Sequence, residues 1–393
     1  MEAILEEEAL YRIALTRIPG IGPVQTKKLI AQFGNAVSVF RADPQMLRST
    51  GLKEDRVAAI AGFCGRPALE AEVRLLGKKG VRLLFFTDPA YPSRLNNIPD
   101  SPSLLFYRGN ADLNADRIVA VIGTRRASDY GRQITAQLIR QIAQPGLLII
   151  SGLALGIDTA AHEAALNHHL PTVGILGHGF GHLYPPENRQ LAKSMICDGG
   201  LLTSFGYGVK PEGYRFPDRN EIVAGLCDAL VVVETARRGG SLLTVETARK
   251  YGRKIFAVPG RVTDPRSSGC NWLIRQEIAT LLTSGDQLQA MAGWKWPEGG
   301  RGVQTRLRLA SPGGEGTNPQ GGRPDPEDAG PDPEDSLLQL LKQRDCVYID
   351  EIAAQTGLAP SSLALLLLKL ELQGLISVLP GKRYKFKTPA IRA

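Results

Sequence analysis

The sequence predicts an α/β fold built on a parallel β-sheet, and three observations carry this prediction. Short apolar runs recur through the middle of the chain, segments of helical length separate several of them, and polar turns follow them. The runs are residues 118–123, 147–152, 171–177, 229–234, 254–260 and 279–284. Such runs are typical of strands buried on both faces by helices. Because ligands bind these sheets at the carboxyl ends of strands, the turns are the candidate functional residues.

Length and composition restrict the class of protein. The chain has 393 residues, of which 43% are hydrophobic, so we expect two or three globular domains. No apolar run approaches the roughly 20 residues that span a bilayer, and the acidic residues 1–8 do not resemble a secretory signal. Five scattered cysteines without metal spacing indicate free thiols, no metal site and a cytoplasmic protein. A net charge of +8 is compatible with a polyanionic partner, but it does not by itself indicate one.

The first 75 residues are predicted to form a helical domain. Residues 18–23 read Ile-Pro-Gly-Ile-Gly-Pro, which resembles the hairpin of a helix-hairpin-helix or SAM-like module. Glycines there permit a tight turn, and the amides of the next helix start, with Lys27 and Lys28, could bind a phosphate. The alternative, which we slightly favour, is a simple turn between packed helices, because degenerate copies often keep only the packing role. Residues 49–53 indicate a second, degenerate copy of the hairpin.

The rest of the chain divides into three predicted parts. Residues 76–292 form the α/β domain, to which strands at 81–86 and 104–107 are expected to add. Residues 293–335 are rich in Gly and Pro and predict a disordered linker. Residues 336–393 show the helix-turn-helix and hairpin pattern of a winged helix. Its basic residues lie in the hairpin rather than in the helix after the turn, so DNA and protein contacts both remain open.

The turn after the first apolar run offers cations to a ligand. Residues 123–126 read Gly-Thr-Arg-Arg, and Ser128 or Asp129 is expected to cap the following helix. The turn lacks Gly-x-Gly-x-x-Gly, so no nicotinamide or flavin fingerprint is present. Two guanidinium groups beside a helix N-terminus suit a phosphate.

The turn after the second run allows two interpretations. Ser151 and Gly152 repeat the polar arrangement, and Asp158 and His162 are spaced to share one helix face. They could form a catalytic pair. Alternatively, Asp158 caps the helix and His162 is a packed side chain, which we favour because Asp is common at helix starts.

Two further loops combine cations with aromatic side chains or glycines. Residues 211–220 alternate aromatic and arginine side chains, and this combination can stack unpaired bases and bind a backbone. The alternative is a proline-broken loop with buried aromatics. In residues 235–244 two glycines precede a helix and follow two arginines, so backbone amides could face a phosphate there.

Taken in order, these motifs resemble the bacterial DNA-processing protein A family, also written DprA or Smf, over roughly residues 105–285. The motifs are Gly-Thr-Arg at 123–125, Ser-Gly-Leu-Ala-x-Gly-Ile-Asp-x-x-Ala-His at 151–162, Tyr-Pro at 184–185, Phe-Pro-x-Arg-Asn at 216–220, Ala-Gly-Leu at 224–226, Gly-Ser-Leu-x-Thr at 240–244 and Phe-Ala-Val-Pro-Gly at 256–260.

The resemblance implies an extended Rossmann-like core that binds single-stranded DNA and uses no cofactor. It also implies a homodimer without enzymatic activity that protects incoming DNA in natural transformation and loads the RecA recombinase onto it. Together with the turn analysis, it predicts these DNA-binding residues: Gly123, Thr124, Arg125, Arg126, Ser151, Gly152, Phe216, Arg219, Asn220, Arg237, Arg238, Gly239, Gly240, Ser241 and Thr244.

Some positions depart from the family pattern, so two other functions are considered as alternatives. Glu221, Gly239 and Ser204 stand where the family usually has Arg, Ser and Glu, and residues 276–279 replace a usual Asp-Gly-Ala. The main alternative is a Rossmann-like nucleoside-monophosphate phosphoribohydrolase, in which Glu246 would assist glycosidic cleavage beside the glycine pair. A transcription regulator built on the winged helix is a third possibility, although that helix is poor in base-reading side chains.

Overall fold

The computed structural model describes residues 2–294 and, further on, residues 347–348, 352, 363, 366–367, 370–371, 375–379 and 383–386. The chain divides into two compact units, Met1–Gln304 and Thr305–Ala393. Apart from its first two residues, the predicted linker lies outside the described residues. The domain boundaries drawn from the sequence therefore stay predictions.

Six helices form the N-terminal part of the first unit, as predicted. They are α1 Glu2–Leu15, α2 Pro23–Phe33, α3 Ala36–Arg41, α4 Pro44–Ser49, α5 Glu54–Ala61 and α6 Arg66–Lys78. The two predicted hairpins connect α1 to α2 and α4 to α5. Each turns at a glycine with positive φ, Gly20 at 78° and Gly51 at 81°, a conformation that glycine adopts without a Cβ penalty.

Within residues 2–294, nine strands form one mixed sheet in the order β1-β2-β6-β5-β4-β3-β7-β8-β9. The strands are β1 Arg82–Phe85, β2 Leu104–Gly109, β3 Arg117–Ile122, β4 Leu147–Ser151, β5 Thr172–Ile175, β6 Gly199–Thr203, β7 Ala229–Val232, β8 Lys254–Ala257 and β9 Thr280–Leu281. The strands from β6 to β9 in this order run parallel, as the apolar runs predicted.

The sheet buries both of its faces against helices. The remaining helices are α7 Ser93–Asn96, α8 Asp129–Ile142, α9 Ile157–Asn167, α10 Arg189–Cys197, α11 Phe216–Leu226, α12 Ser241–Lys250, α13 Ser268–Arg275 and α14 Gly285–Ala292. Successive residues of β3 alternate between the two cores, because side chains of a strand point to opposite faces. Ile118 and Ala120 pack with residues of α11 and α12, whereas Val119 and Val121 pack with α8 and α9.

Two features of the sheet differ from the sequence prediction. The strands β1 and β2 do extend it, but they pair antiparallel, β2 with β1 and with β6. The strand β6 was not among the predicted apolar runs, because it begins with two glycines, which are depleted in strands. Close packing explains the second glycine, since a Cβ on Gly200 would lie 2.5 Å from Tyr107 Cε2.

The N-terminal helices and the first two strands share one hydrophobic core. Phe85, Leu104 and Phe106 of β1 and β2 pack in the same cluster as buried residues of α1 to α6. Lys27 Nζ adds polar links by donating to Ile98 O at 3.0 Å and to Ser101 Oγ at 2.9 Å. Burial lowers the pKa of Lys27. This lysine, predicted to lie near a bound phosphate, therefore attaches the hairpin to the α/β domain.

Among the described residues of the second unit, three strands form a small antiparallel sheet in the order β10-β12-β11. They are β10 Val347–Tyr348, β11 Ile376–Leu379 and β12 Arg383–Phe386. The β11–β12 hairpin was predicted from the sequence, and Leu379 pairs with Arg383 next to the turn. Most of the predicted helix-turn-helix lies outside the described residues.

Candidate functional site

The strand order places a crevice between the carboxyl ends of β3 and β7. The strands β4, β5 and β6 follow β3 in the chain and lie to one side of it in the strand order. The next strands, β7 and β8, lie to the other side of β3. Ligands of open α/β sheets bind at such a reversal of strand order. A cavity of about 540 Å³ lies here, lined by residues that follow β3, β4 and β7 and by the start of α11.

Hydrogen bonds anchor the turn after β3, and the two arginine side chains of this turn are exposed. Thr124 N donates to Glu234 O at 2.7 Å, and Ile157 N donates to Thr124 O at 3.2 Å. Ser128 caps α8, as predicted, by accepting from Gly131 N, and its hydroxyl donates to the buried carboxylate of Glu234. This anchored turn presents the exposed Arg125 guanidinium to the cavity.

The turn after β4 contributes a buried carboxylate. Asp158 Oδ2 accepts from Gly152 N at 3.1 Å and from Ala154 N at 3.2 Å, so it orders the turn before α9. Burial raises the pKa of Asp158, and the nearby positive charge of Arg219 opposes that rise. Ser151 is buried and donates its hydroxyl to Val121 O at 2.6 Å, so it lies behind the cavity wall.

His162 is a packed histidine rather than a partner of Asp158. Its Nδ1 lies 2.7 Å from Thr172 Oγ1, whose own proton goes to Ile149 O. Nδ1 therefore carries the proton, and Nε2 is buried without a hydrogen-bond partner. Burial lowers the pKa of His162 to about 3, so the ring is neutral. The interpretation of His162 as a packed side chain is confirmed by this geometry. Asp158 is not the predicted helix cap, because Gly156 is the N-cap residue of α9 without a side-chain cap and Asp158 accepts from amides of the preceding turn.

The start of α11 brings an aromatic ring close to two guanidinium groups. Arg125 Cζ and Arg219 Cζ each lie 5.2 Å from the ring centroid of Phe216, within cation–π range. The ring rests on Gly177, where an added Cβ would lie 2.9 Å from Phe216 Cδ1. Arg219 Nη1 donates to Gly152 O at 2.7 Å, while its Nε is buried without a partner. Burial lowers the pKa of Arg219.

The turn after β7 leads into α12, whose N-terminus faces the cavity. Gly239, Gly240, Ser241 and Thr244 line it, and Ser241 Oγ donates to Thr235 Oγ1 at 2.7 Å. Leu242 N and Leu243 N already donate to Gly239 O and Gly240 O, so this end of α12 favours an anion mainly through the helix dipole.

The cavity therefore combines groups suited to a nucleotide. Arg125 and Arg219 supply two positive charges against the single carboxylate of Asp158, which leaves a positive balance along the lining. Guanidinium groups and helix amides bind phosphate oxygens, and an aromatic ring can stack on a base. The described residues contain no cluster of His, Cys, Asp or Glu that could hold a metal ion.

Four predicted residues do not line the cavity. Ser151 lies behind its wall, and Arg126, Arg237 and Arg238 are exposed outside it. Arg237 instead lies over the ring of Trp272 at 5.6 Å. The remaining predicted residues are brought together, namely Gly123, Thr124, Arg125, Gly152, Phe216, Arg219, Asn220, Gly239, Gly240, Ser241 and Thr244.

Sequence reasoning missed some lining residues. Ala154, Thr235 and Leu243 also line the cavity. All three lie within the stretches singled out in the sequence, and Ala154 and Thr235 could have been found by taking each turn whole. Leu243 gave no polar signal, because an exposed leucine on a helix resembles a core position in the sequence.

One departure from the family pattern has a local explanation, and two others lie outside the cavity. Neither Glu221 nor Ser204 lines the cavity. A Cβ on Gly239 would collide with Thr235 Oγ1, so glycine fits this loop. Glu246, the carboxylate of the glycosidic-cleavage alternative, is exposed on α12 and also lies outside the lining.

Fold and site together define a Rossmann-like α/β protein with an open, positively charged cavity at the reversal of strand order. No helix among the described residues has the length and apolar character needed to cross a membrane. The family model of DNA recombination-mediator protein A matches residues 82–292. A DprA-like N-terminal HHH domain matches residues 6–62, and a DprA winged helix domain matches residues 322–382.

Individual relatives agree with the family match. Protein Smf of Synechocystis is 32% identical, over 96% of this chain and 98% of its own length. DNA processing protein DprA of Streptococcus pneumoniae is 44% identical, over 52% of this chain and 71% of its own length. The X-ray structure of DprA from Streptococcus pneumoniae covers 72% of this chain and 97% of its own, with 35% identity and a TM-score of 0.63. The chain belongs to the DNA recombination-mediator protein A family, DprA/Smf.

Proposed function

We propose that this protein binds single-stranded DNA in the cavity at the β3–β7 crevice. The observation that carries the proposal is the pair of guanidinium groups, Arg125 and Arg219, each 5.2 Å from the ring of Phe216. Cations can follow a phosphate backbone while an aromatic ring stacks on a base, and together these are the means of single-strand recognition. Both interactions use features common to all nucleotides, so little sequence preference is expected.

The size of the cavity favours an unpaired strand over a duplex. A volume of about 540 Å³ suits a small ligand such as one nucleotide. A base paired inside a duplex cannot present its face to Phe216, because neighbouring bases already cover it. Binding of duplex DNA would therefore rely on surface cations alone.

The finer activities follow from family membership and remain part of the proposal. We infer that the protein is a cytoplasmic homodimer that protects incoming DNA in natural transformation and loads RecA onto it, without catalysing a reaction. Glu246 lies outside the cavity, and this position supports a binding function over glycosidic cleavage. The carboxylate that does line the cavity, Asp158, is occupied by two backbone amides.

A binding titration tests the proposal. Full-length protein is titrated with single-stranded and duplex DNA of equal length at two salt concentrations. We expect tighter binding to the single strand, with an affinity that falls as salt rises because phosphate contacts release counterions. Equal or tighter binding to duplex DNA would contradict the proposal.

A further inference from the structure

Beside the main cavity, a second small cleft is lined by apolar side chains. Leu155, Tyr184 and Pro185 line this cleft alone, and it shares Arg125, Gly152, Ala154, Phe216 and Arg219 with the main cavity. Tyr184 and Leu155 are 44% and 38% exposed, which is unusual for large apolar side chains beside a polar cavity. The cleft has a volume of about 30 Å³, far below the several hundred Å³ of a typical small-ligand pocket. It cannot enclose a base, so a planar ligand would have to lie across its mouth.

The ring of Tyr184 is held in place and carries a free surface. Its centroid lies 6.3 Å from that of Phe216, with the planes tilted by 41°, so the rings touch without leaving a slot between them. Tyr184 N donates to His178 Nε2 at 3.2 Å. Further along the same loop, Asn188 Nδ2 donates to Leu153 O at 3.0 Å. These bonds fix the backbone of the loop, which lowers the ordering cost of presenting the ring to a ligand.

The two aromatic rings differ in their contacts with cations. Arg125 and Arg219 both lie over Phe216. Among the described residues, no guanidinium or ammonium group lies over Tyr184, and its hydroxyl has no hydrogen-bond partner. Tyr184 therefore offers a stacking face for which no protein cation competes.

Arg125 connects the cleft to the main cavity, because it lines both. A guanidinium at this junction can bind the phosphate that joins two successive nucleotides. The charge at the junction and the apolar surface beyond it match the alternation of phosphate and base along a strand.

We propose that Tyr184, with Leu155 and Pro185, forms a second base subsite that stacks the nucleotide adjacent to the one in the main cavity. This inference rests on the proposed function and extends it from one nucleotide to two. The ligand is an unpaired nucleobase of the same bound strand, with its phosphate on Arg125.

The test compares full-length Tyr184→Ala and Tyr184→Phe with wild type, using an oligothymidylate and a base-free oligomer of equal length. We expect Tyr184→Ala to weaken oligothymidylate binding about 5- to 150-fold, the range for loss of one stacked base, with an unchanged salt slope. Binding of the base-free oligomer should not change. Tyr184→Phe keeps the ring and should bind as wild type does.

A matched control is Tyr130→Ala, since Tyr130 is similarly exposed at 47% and lines neither cavity. It should bind oligothymidylate as wild type does. If melting shows that Tyr184→Ala is unfolded, Tyr184→Leu replaces it, because leucine keeps apolar bulk without an aromatic face. Photocrosslinking of wild type to an oligomer containing 5-iodouracil should yield a peptide linked at Tyr184.

Two results would overturn the inference while leaving the proposed function intact. One is unchanged oligothymidylate binding by the Tyr184 variant, without a crosslink at this residue, which would assign the exposed patch to a protein contact. The other is an equal loss for both oligomers, which would show that Tyr184 shapes the cavity rather than stacking a base. Failure of wild type to bind any single strand would instead contradict the proposed function itself.

Discussion

At the scale of single residues, Arg125 is the exposed cation of the cavity. Its guanidinium is free of ion pairs among the described residues and lies at the carboxyl end of β3. Arg125→Ala should weaken binding to single-stranded DNA and reduce the salt slope by about 0.7, the value for one lost phosphate contact. Arg125→Lys should keep the slope but bind less tightly, because a lysine cannot form a forked contact. Salt-dependent titrations measure both effects.

Arg140→Ala is the control for this prediction, since Arg140 is an exposed arginine of α8 outside the cavity. Its salt slope should stay that of wild type. An unchanged slope in Arg125→Ala would mean that the phosphate lies elsewhere.

His162 gives a second prediction at this scale, concerning stability against pH. Its pKa is about 3 in the folded protein against an ordinary 6.5, so the unfolded chain binds a proton first as pH falls. This group therefore favours folding above pH 6.5, and that contribution is lost as pH falls towards 3, by up to about 1.4 kcal/mol per pH unit. His162→Asn removes the titrating ring while its amide can still donate to Thr172. Denaturant unfolding between pH 6.5 and 4.5 should show a shallower loss of stability in the variant.

The difference between the two proteins isolates His162, because other titrating groups, His178 among them, are common to both. Parallel pH profiles for wild type and variant would show that the ring is not held neutral by burial.

At the scale of elements, Gly156 couples the turn after β3 to the start of α9. Its φ is 84°, and a Cβ there would collide with Thr124 O. Gly156→Ala should therefore destabilise the protein by about 2 kcal/mol or more, since strain and overlap add. Because the displaced turn carries Arg125, DNA binding should weaken as well. Thermal melting and a DNA titration measure the two effects.

Gly208→Ala serves as the comparison, because a Cβ at Gly208 meets nothing within 4 Å and its φ is not positive. It should melt and bind as wild type does. If Gly156→Ala behaves in the same way, the turn is not held by this contact.

At the scale of the whole molecule, the N-terminal helices and the α/β domain are interdependent. Phe85, Leu104 and Phe106 are buried in a cluster with α1 to α6. Removing those helices would expose this apolar surface to water, at about 25 cal/mol for each Å². A fragment of residues 76–294 should therefore melt well below a fragment of residues 1–294, or aggregate. Calorimetry of both fragments measures this, and equal melting temperatures would contradict it.

The longer fragment should unfold in a single transition and keep single-stranded DNA binding, since it contains the whole cavity. Two separate transitions would show that the shared core does not couple the helices to the sheet. Loss of DNA binding in a folded 1–294 fragment would place the site partly in the second unit.

The sequence by itself determined the fold class, the helical N-terminal part and most of the cavity. Local patterns suffice for these, because strand and helix periodicity reflect burial of each element, and a parallel sheet brings the turns at its carboxyl edge together. Arg125, Gly152 and Phe216 could be predicted in this way although they are far apart in the chain.

The remaining features of the fold and the cavity were decided by the tertiary structure alone, because they depend on which residues each side chain contacts. From the sequence, Lys27 is predicted to lie near a bound phosphate. In the structure, its ammonium group donates to acceptors around Ile98. From the sequence, Ser151 is predicted to line the cavity. In the structure, its hydroxyl donates to a backbone carbonyl of β3 behind the cavity wall. The antiparallel pairing of β2 with β6 joins residues about a hundred positions apart, a distance over which no local periodicity carries information.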